Sequence, residues 1–481
     1  MTPSIIETVA AHRQGVIAPA DTIRQCYERI RAIADPGIFI SLREEAAVCA
    51  EAQSLSAERA CGPLFGVPVA VKDNIDVAGL PTTAACPAFA YSPECDAVAV
   101  ARLRAAGAIV IGKTNLDQFA TGLVGTRTPY PVPGNPLRSD LIPGGSSSGS
   151  AVAVARGIVP IALGTDTAGS GRVPAMFNNV VGLKPSLGLV STRGVVPACR
   201  SLDCVSIFAL AVEDAWIALT VAAGYDDADP YSRPVPIGTI RSAVKSAKLG
   251  VPRKGQREFF NDTRAAADYD QALARLSRLG YAMAEIDMTP FYETARLLYE
   301  GPWLAERYIA ARRLVESDSA ALHPITRQII TKGATFTATE VFEAFYRLEG
   351  LRKIAADTFA DVDGLALPTA PTVYTCEQIL ATNQPQFTPW HLHAFRESAR
   401  TVRRRGAGGA SCRRNAVRYH SSRAGRRRRT GCFNCTAISG RQRAPSGKHS
   451  AVPKPAPWTR ELSATFLVTL PAKYADRDRN A

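Results

Sequence analysis

The charge of this chain breaks in two, and the break limits which part can fold. The 481 residues carry a net charge of +14 at pH 7, yet residues 386–481 hold 18 Arg and 3 Lys against 2 Asp and 2 Glu, so that segment alone is +17 and residues 1–385 are −3. A segment with so much unpaired arginine and no apolar period cannot pack an interior, because the buried area would not offset the cost of ordering it and of desolvating its charge. The core must lie in residues 1–385, which suffice for one large α/β domain or for two or three smaller ones. The basic excess invites a nucleic-acid reading, but it sits in a tail without an accompanying fold pattern, which argues against that partner. An apolar content of 46% fits a globular protein.

The apolar stretches are short and broken by Gly, Pro or charge, so no membrane span is expected. The opening "MTPSIIETVAAHRQG" (Met1 to Gly15) reads as an amphipathic first helix, not a signal peptide. Eleven scattered cysteines, an odd number, fit reduced thiols better than a disulfide framework, and a cytoplasmic location follows as an expectation.

Along the body, apolar residues recur at helical spacing from Ser4 to about Ala60. "LFGVPVAVKD" then reads as a strand with Lys72 next to its end. "AIVIGKT" (Ala108 to Thr114) and "GIVPIALGTD" (Gly157 to Asp166) are two more buried strands by their Val and Ile content. Ser147 to Arg156 reads as a helix stopped by Gly157. "KLGVP" (Lys248 to Pro252) and "GLALPTAP" (Gly364 to Pro371) are further strands, separated by helical stretches from Asp262 to Phe359. Strands alternating with helices predict an α/β sheet covered on both faces.

Three strings carry chemistry: "VAVKDNID" (Val69 to Asp76), "GGSSSGS" (Gly144 to Ser150) and "GTDTAGSGRVP" (Gly164 to Pro174). Amide hydrolysis needs an activated nucleophile, donors for the developing oxyanion and an acid for the departing nitrogen. The body contains only His12 and His323, and neither falls in a Gly/Ser string. Lysine can replace histidine if burial lowers its pKa from about 10.4 toward neutrality, a disfavour of about 4 to 5 kcal/mol for the ammonium. Lys72, at the end of an apolar strand, is placed for that burial. Ser146 is the candidate proton relay and Ser170 the candidate nucleophile. Thr167, Ala168, Gly169 and Ser170 are small enough for successive N–H groups to line an oxyanion hole. Asp166 and Arg172 read as structural, and Cys204 as packing.

With these residues the chain resembles the amidase signature family over about residues 20–380. The resemblance implies a mixed central β-sheet covered by helices on both faces, and a Ser-cisSer-Lys triad falling on Ser170, Ser146 and Lys72. Ser148 stands where many members have Gly. Within the family, "FNNVVGLKPSLGLVSTRGVVPACRSLDCVSIFAL" (Phe177 to Leu210) resembles allophanate hydrolases, with Cys204-Val205-Ser206 where general amidases carry a Gly-Pro pair. "LYEGPWLAERY" (Leu298 to Tyr308) resembles their substrate-recognition segment, which puts that role on Tyr299 and Arg307. A guanidinium can hold the carboxylate of so small an anion in bidentate fashion. The resemblance further implies hydrolysis of urea-1-carboxylate with release of ammonia, no metal or organic cofactor, a functional link to urea carboxylase, and a homodimer as an open state. Another small-amide amidase, an amidotransferase A-type subunit, or an inactive remnant whose tail binds nucleic acid stand as alternatives.

The tail offers "CFNC" (Cys432 to Cys435) with Cys412 and His420 upstream, and "RRRR" (Arg426 to Arg429), both weak signals for zinc and nucleic acid. Its composition looks like translation in a wrong frame. With permitted codons, a one-base advance turns "FTPWHLHAFRESAR" (Phe387 to Arg400) into LHLGTYTHFVNLLD and "RNAVRYH" (Arg414 to His420) into ATPFGIT. Both resemble the later part of an amidase signature domain, which places a frameshift, in the gene or in its sequencing, near Asn383 to Phe387. The expected organisation is therefore a catalytic domain at 1–385 lacking late strands, and a basic, disordered tail at 386–481. The strand Gly364 to Pro371 is expected to be left exposed or covered only loosely, the small C-terminal domain of many allophanate hydrolases to be missing, and the chain as written to have little or no hydrolase activity.

Overall fold

The structure, a computed structural model, describes residues 3–55, 61–238, 247–382 and 466–468. The chain divides into two units, residues 1–402 with 462–481, and residues 403–461. The second unit lies outside the described residues. So do Cys412, His420, Arg426–Arg429, Cys432–Cys435 and both frame-shifted strings.

The first sheet has six strands: β1 (Phe39–Leu42), β2 (Pro68–Lys72), β3 (Ile109–Thr114), β4 (Ile161–Thr165), β5 (Val181–Leu183) and β6 (Val205–Ala209), in the spatial order β1-β3-β2-β4-β6-β5. β2 runs parallel to β3 and β4, and the other pairs are antiparallel. Alternation along the strands divides their side chains between two cores. Val69, Val71, Val110, Ile161, Leu163 and Ile207 face one side, packed by α1 (Ile5–Arg13), α4 (Val98–Ala105) and α7 (Val212–Ala222). Ala70, Ile109, Ile111, Ala162 and Phe208 face the other, packed by α2 (Pro19–Ile33), α3 (Glu45–Gln53) and α5 (Ser148–Ala155). Each such Val or Ile contributes about 1.5–3 kcal/mol relative to exposure. This two-sided burial explains why β2, β3 and β4 read as continuous apolar runs.

The second sheet has four strands, β7 (Lys248–Pro252), β8 (Ala282–Ile286), β9 (Gly364–Pro368) and β10 (Phe466–Val468), in the order β10-β9-β7-β8. α8 (Thr263–Arg278) covers one face through Leu273 and Leu276. α9 (Thr289–Tyr299) and α12 (Ala338–Asp361) cover the other through Phe291, Ala355 and Phe359. Between them run α10 (Leu304–Asp318) and α11 (Pro324–Lys332).

Both sheets are mixed and covered by helices on both faces, and the strands at Lys248 and Gly364 belong to the second, not to the sheet that carries Lys72. Other expectations change. The stretch Ser4 to Ala60 is not helical throughout: β1 interrupts it, because Phe39 to Leu42 pairs antiparallel with the edge of β3. β8 interrupts the stretch from Asp262 to Phe359, after Gly280 turns the chain at φ +94°. β9 is not left exposed. Gly364 to Leu367 are buried and β10 pairs antiparallel with β9, Phe466 opposite Pro368. The composition of the tail predicts too few periodic apolar residues to extend a sheet, but a three-residue "FLV" needs no period. No helix among the described residues is long and apolar enough to cross a membrane. The eight cysteines among the described residues are free thiols.

Candidate active site

Because β2 and β4 are parallel neighbours, their C-terminal ends open on the same edge of the sheet, where ligands bind in open α/β folds. Lys72 ends β2 and Thr165 ends β4. Lys72 is 0% exposed. Its Nζ donates to Ser146 Oγ at 2.7 Å and to Thr165 Oγ1 at 2.8 Å. Thr165 Oγ1 also accepts from Asn74 Nδ2 at 3.3 Å. Burial pulls the lysine down to about 7, against the charges of Asp117, Asp203 and Asp166, which act to hold it up.

The serines of the second string do not share one environment. Ser147 Oγ donates to the Thr165 carbonyl at 3.1 Å and Ser150 Oγ to the Leu163 carbonyl at 2.9 Å, while Ser148 Oγ reaches the Asn115 carbonyl at 3.4 Å. These three fasten α5 to the strands, and Ser146 is left to the lysine. The Gly145–Ser146 peptide is cis. The chain passes so closely at Gly145 that a Cβ there would strike the Asp117 carboxylate and lie 2.6 Å from the Gly125 nitrogen. Asp117 N–H in turn donates to the Ser146 carbonyl at 3.0 Å.

The third string folds over the second, with the Ser147 N–H donating to the Ser170 carbonyl at 3.2 Å. Its loop is built on Asp166. One carboxylate oxygen accepts the Gly169 N–H at 2.6 Å and Arg172 Nη2 at 3.0 Å, and the other accepts Arg172 Nε at 2.8 Å. Burial pushes Asp166 toward protonation, but the Arg172 guanidinium and these hydrogen bonds more than offset it and hold the carboxyl well below the usual range. The structural reading of Asp166 and Arg172 therefore matches the geometry. Gly169 has φ +127° and its N–H is committed to Asp166, so it is not free to receive an oxyanion. That removes Gly169 as a donor in the resting loop. The N–H groups of Thr167, Ala168 and Ser170 have no hydrogen-bond partner among the described residues. Thr167 Oγ1 donates to Asp203, which also accepts the N–H groups of Ala198 at 2.9 Å and Cys199 at 3.2 Å.

Tyr299, at the end of α9, donates from Oη to the Ala168 carbonyl at 2.7 Å, so it touches the loop itself. Arg307, on α10, is buried and donates from Nη1 to Thr121 Oγ1 at 3.0 Å. Tyr299 thus reaches the loop of the third string directly, and Arg307 stands in the field of Asp203, which accepts from Thr167 of that loop. His12 is engaged far along the chain from the strings, with Phe65 and Thr22. His323 lies nearer than its sequence position suggested. Its imidazole is held below its ordinary value by burial and by Arg127, opposed by Asp117, and the backbone N–H of His323 donates to Gln118 Oε1 at 2.7 Å. Cys204 is buried, with Sγ donating to the Pro185 carbonyl at 3.5 Å, as packing requires. Sequence reasoning missed Thr165, Asn74, Asp117, Asp203, Thr121 and Arg127. Thr165 and Asn74 were within reach, since one lies at the start of the third string and the other in the first string two residues after Lys72, but nothing local marks the others. No group of three or more His, Cys, Asp or Glu among the described residues could hold a metal ion.

The sequence profile of the family described as Amidase matches residues 21–388. The chain belongs to the amidase family. This amidase is 48% identical over 322 residues to a urea amidolyase of Lachancea kluyveri, an alignment covering 66% of this chain and 18% of that protein. It is 34% identical over 402 residues to the A-type subunit of a glutamyl-tRNA(Gln) amidotransferase from a Picosynechococcus strain, covering 76% of this chain and 82% of the relative. Among solved structures it matches selenomethionine-substituted Kluyveromyces lactis allophanate hydrolase with a TM-score of 0.75 and 40% identity, over 82% of this chain and 64% of the other. The amidase thus spans about a fifth of the length of the urea amidolyase it matches.

Proposed function

We propose that this amidase hydrolyses allophanate, urea-1-carboxylate, at its terminal amide and releases ammonia. The reading rests above all on Lys72: an amine with no exposure, brought to about 7 by burial, stands 2.7 Å from a serine hydroxyl. A neutral amine there takes the Ser146 proton while Ser146 takes that of Ser170, and Ser170 Oγ forms a bond to the amide carbonyl carbon. The N–H groups of Thr167, Ala168 and Ser170 receive the oxyanion. The proton returns through Ser146 to the departing nitrogen, which leaves as ammonia, and water then cleaves the acyl-serine by the same relay. Asp166 and Arg172 keep the loop in shape without touching the reacting atoms. Arg307 and Tyr299 recognise the substrate's carboxylate end. The names of the urea amidolyase and allophanate hydrolase relatives support this substrate. The same reading carries a link to urea carboxylase as the source of allophanate, a homodimer and a cytoplasmic place of action. An amidotransferase A-type subunit is the second reading, favoured by an alignment that covers 82% of such a relative.

The deciding experiment expresses the chain as written beside a version corrected by one base near codons 383–387, with Ser170→Ala of each, and measures ammonia from allophanate and from glutamine. Release from allophanate that Ser170→Ala abolishes supports the reading. Release from glutamine alone favours the second. Activity in the corrected chain only would place the defect of the written chain in its tail.

A further inference from the structure

Two buried guanidinium groups converge on one threonine, Thr121. Arg127 is 5% exposed and Arg307 6%. Arg127 donates from Nη1 to the Thr121 carbonyl at 3.3 Å, and Arg307 from Nη1 to the hydroxyl of the same threonine at 3.0 Å. Neither forms a salt bridge among the described residues. Asp117 stands nearest to Arg127, yet its carboxylate is taken up by the backbone N–H groups of Gly125 at 3.0 Å and of Arg127 itself at 2.9 Å. Asp203 stands in the field of Arg307, but its oxygens accept from Thr167, Ala198 and Cys199. The two arginines feel each other as like charges, and burial, opposed by Asp117, holds Arg127 below its ordinary value.

Like charges held together in a desolvated place are destabilising unless something compensates them. A fold that keeps both must meet a negative group there, and the position decides its size. Arg127 belongs to the loop whose Asp117 holds the Ser146 carbonyl. Arg307 acts on Asp203, which holds Thr167 at the start of the oxyanion loop. An anion held by both guanidinium groups would thus be linked through Asp117 to the Ser146 side of the site and through Asp203 to the Thr167 side.

We propose that Arg127 is a second specificity-determining residue, closing with Arg307 a two-guanidinium clamp on the carboxylate of a small anionic amide. This rests on the small-anion reading of the site and extends it, because a single arginine can bind a carboxylate from one side only, whereas two pin its plane. The clamp rejects uncharged amides by leaving two buried cations unpaired when they bind. Asp117 and His323 stand in the field of Arg127, and Asp203 in that of Arg307.

Binding rather than turnover tests it. Malonamate, in which a methylene replaces the central nitrogen of allophanate, and malonamide, its uncharged counterpart, are titrated by calorimetry into the full chain carrying Ser170→Ala. Arg127→Gln in that background is expected to weaken malonamate about tenfold or more and malonamide within about twofold, with Arg127→Lys between. Equal loss for both amides, or unchanged malonamate affinity, overturns the clamp. Should Arg127→Gln fail to fold, Arg127→Lys with an unchanged melting temperature carries the same comparison. Ammonia release from allophanate is measured separately on the unsubstituted chain. A chain that binds malonamate through Arg127 but leaves allophanate intact sinks the reaction and keeps the clamp.

Discussion

Two sets of buried charged side chains in the candidate site are finished differently. In one, Asp166 and Arg172 meet through two parallel hydrogen bonds of 2.8 and 3.0 Å, and the carboxylate's remaining capacity goes to the loop backbone. In the other, Lys72 donates to Ser146 and Thr165, Arg127 and Arg307 donate to Thr121, and none of the three has a carboxylate partner among the described residues. The first cluster is complete in the folded chain and sets the shape of a loop. The second is incomplete, and its deficit is what a substrate can fill. Burial alone therefore does not tell a structural charge from a functional one. The test is whether its partners are already present.

The comparison can be broken most severely from the closed side. Asp166→Asn takes the charged partner from the buried Arg172 guanidinium and should destabilise the fold by about 3–5 kcal/mol, read from the urea midpoint. A shift below about 1 kcal/mol would mean that the pair is no more structural than its open counterpart. On the open side, Lys72→Ala and Ser170→Ala should each lower turnover of allophanate by at least about a hundredfold while leaving the urea midpoint near that of the parent. Near-normal turnover in either removes the proposed mechanism.

Arg307→Ala should reduce kcat/KM on allophanate by about ten- to a hundredfold and leave an uncharged amide within about threefold. Equal losses would move Arg307 to the structural side of the comparison. The lysine gives a pH dependence of fixed sign. Its amine is neutral only above about 7, so kcat/KM should fall by about tenfold per unit below that pH and level off above it. In the unfolded chain the same group titrates near 10.4, so between the two values the unfolded state binds more protons, and the contribution of Lys72 to stability grows as pH rises. A Lys72→Met variant whose stability shows the same slope over that window would contradict the assignment. The smallest effect belongs to Thr121→Val, which deletes the hydroxyl serving Arg307 and keeps the carbonyl serving Arg127. It should raise KM for allophanate by about fivefold.

How far such a site is legible depends on how local its causes are. β2, β3 and β4 could be read because two-sided burial makes a strand apolar throughout, and Lys72 stood out as a cation at the end of such a run. The strings of Ser146 and Ser170 were legible because close backbone approach demands small residues in a row. β1 and β8 were hidden because short segments such as "FISL" and "AMAEI" become strands through a distant partner, not through their own pattern. Arg127 and Asp203 were hidden for the same reason. Their meaning lies in the company of Thr121 and Thr167, which the fold supplies. The role of Gly169 was over-read, since smallness admits the N–H to the loop but does not say that Asp166 will claim it.

The close passage at Gly145 has a consequence for anyone mapping this protein by its genetics. Any side chain there must displace the Asp117 carboxylate and the Gly125 amide together, although the residue brings no reactive atom. In a library of all single substitutions, position 145 would score as dead as position 146, and a ranking by lost growth could not separate the wall from the tool. Only a readout that divides folded protein from turnover would tell them apart, with Ser146 variants abundant and idle and Gly145 variants scarce.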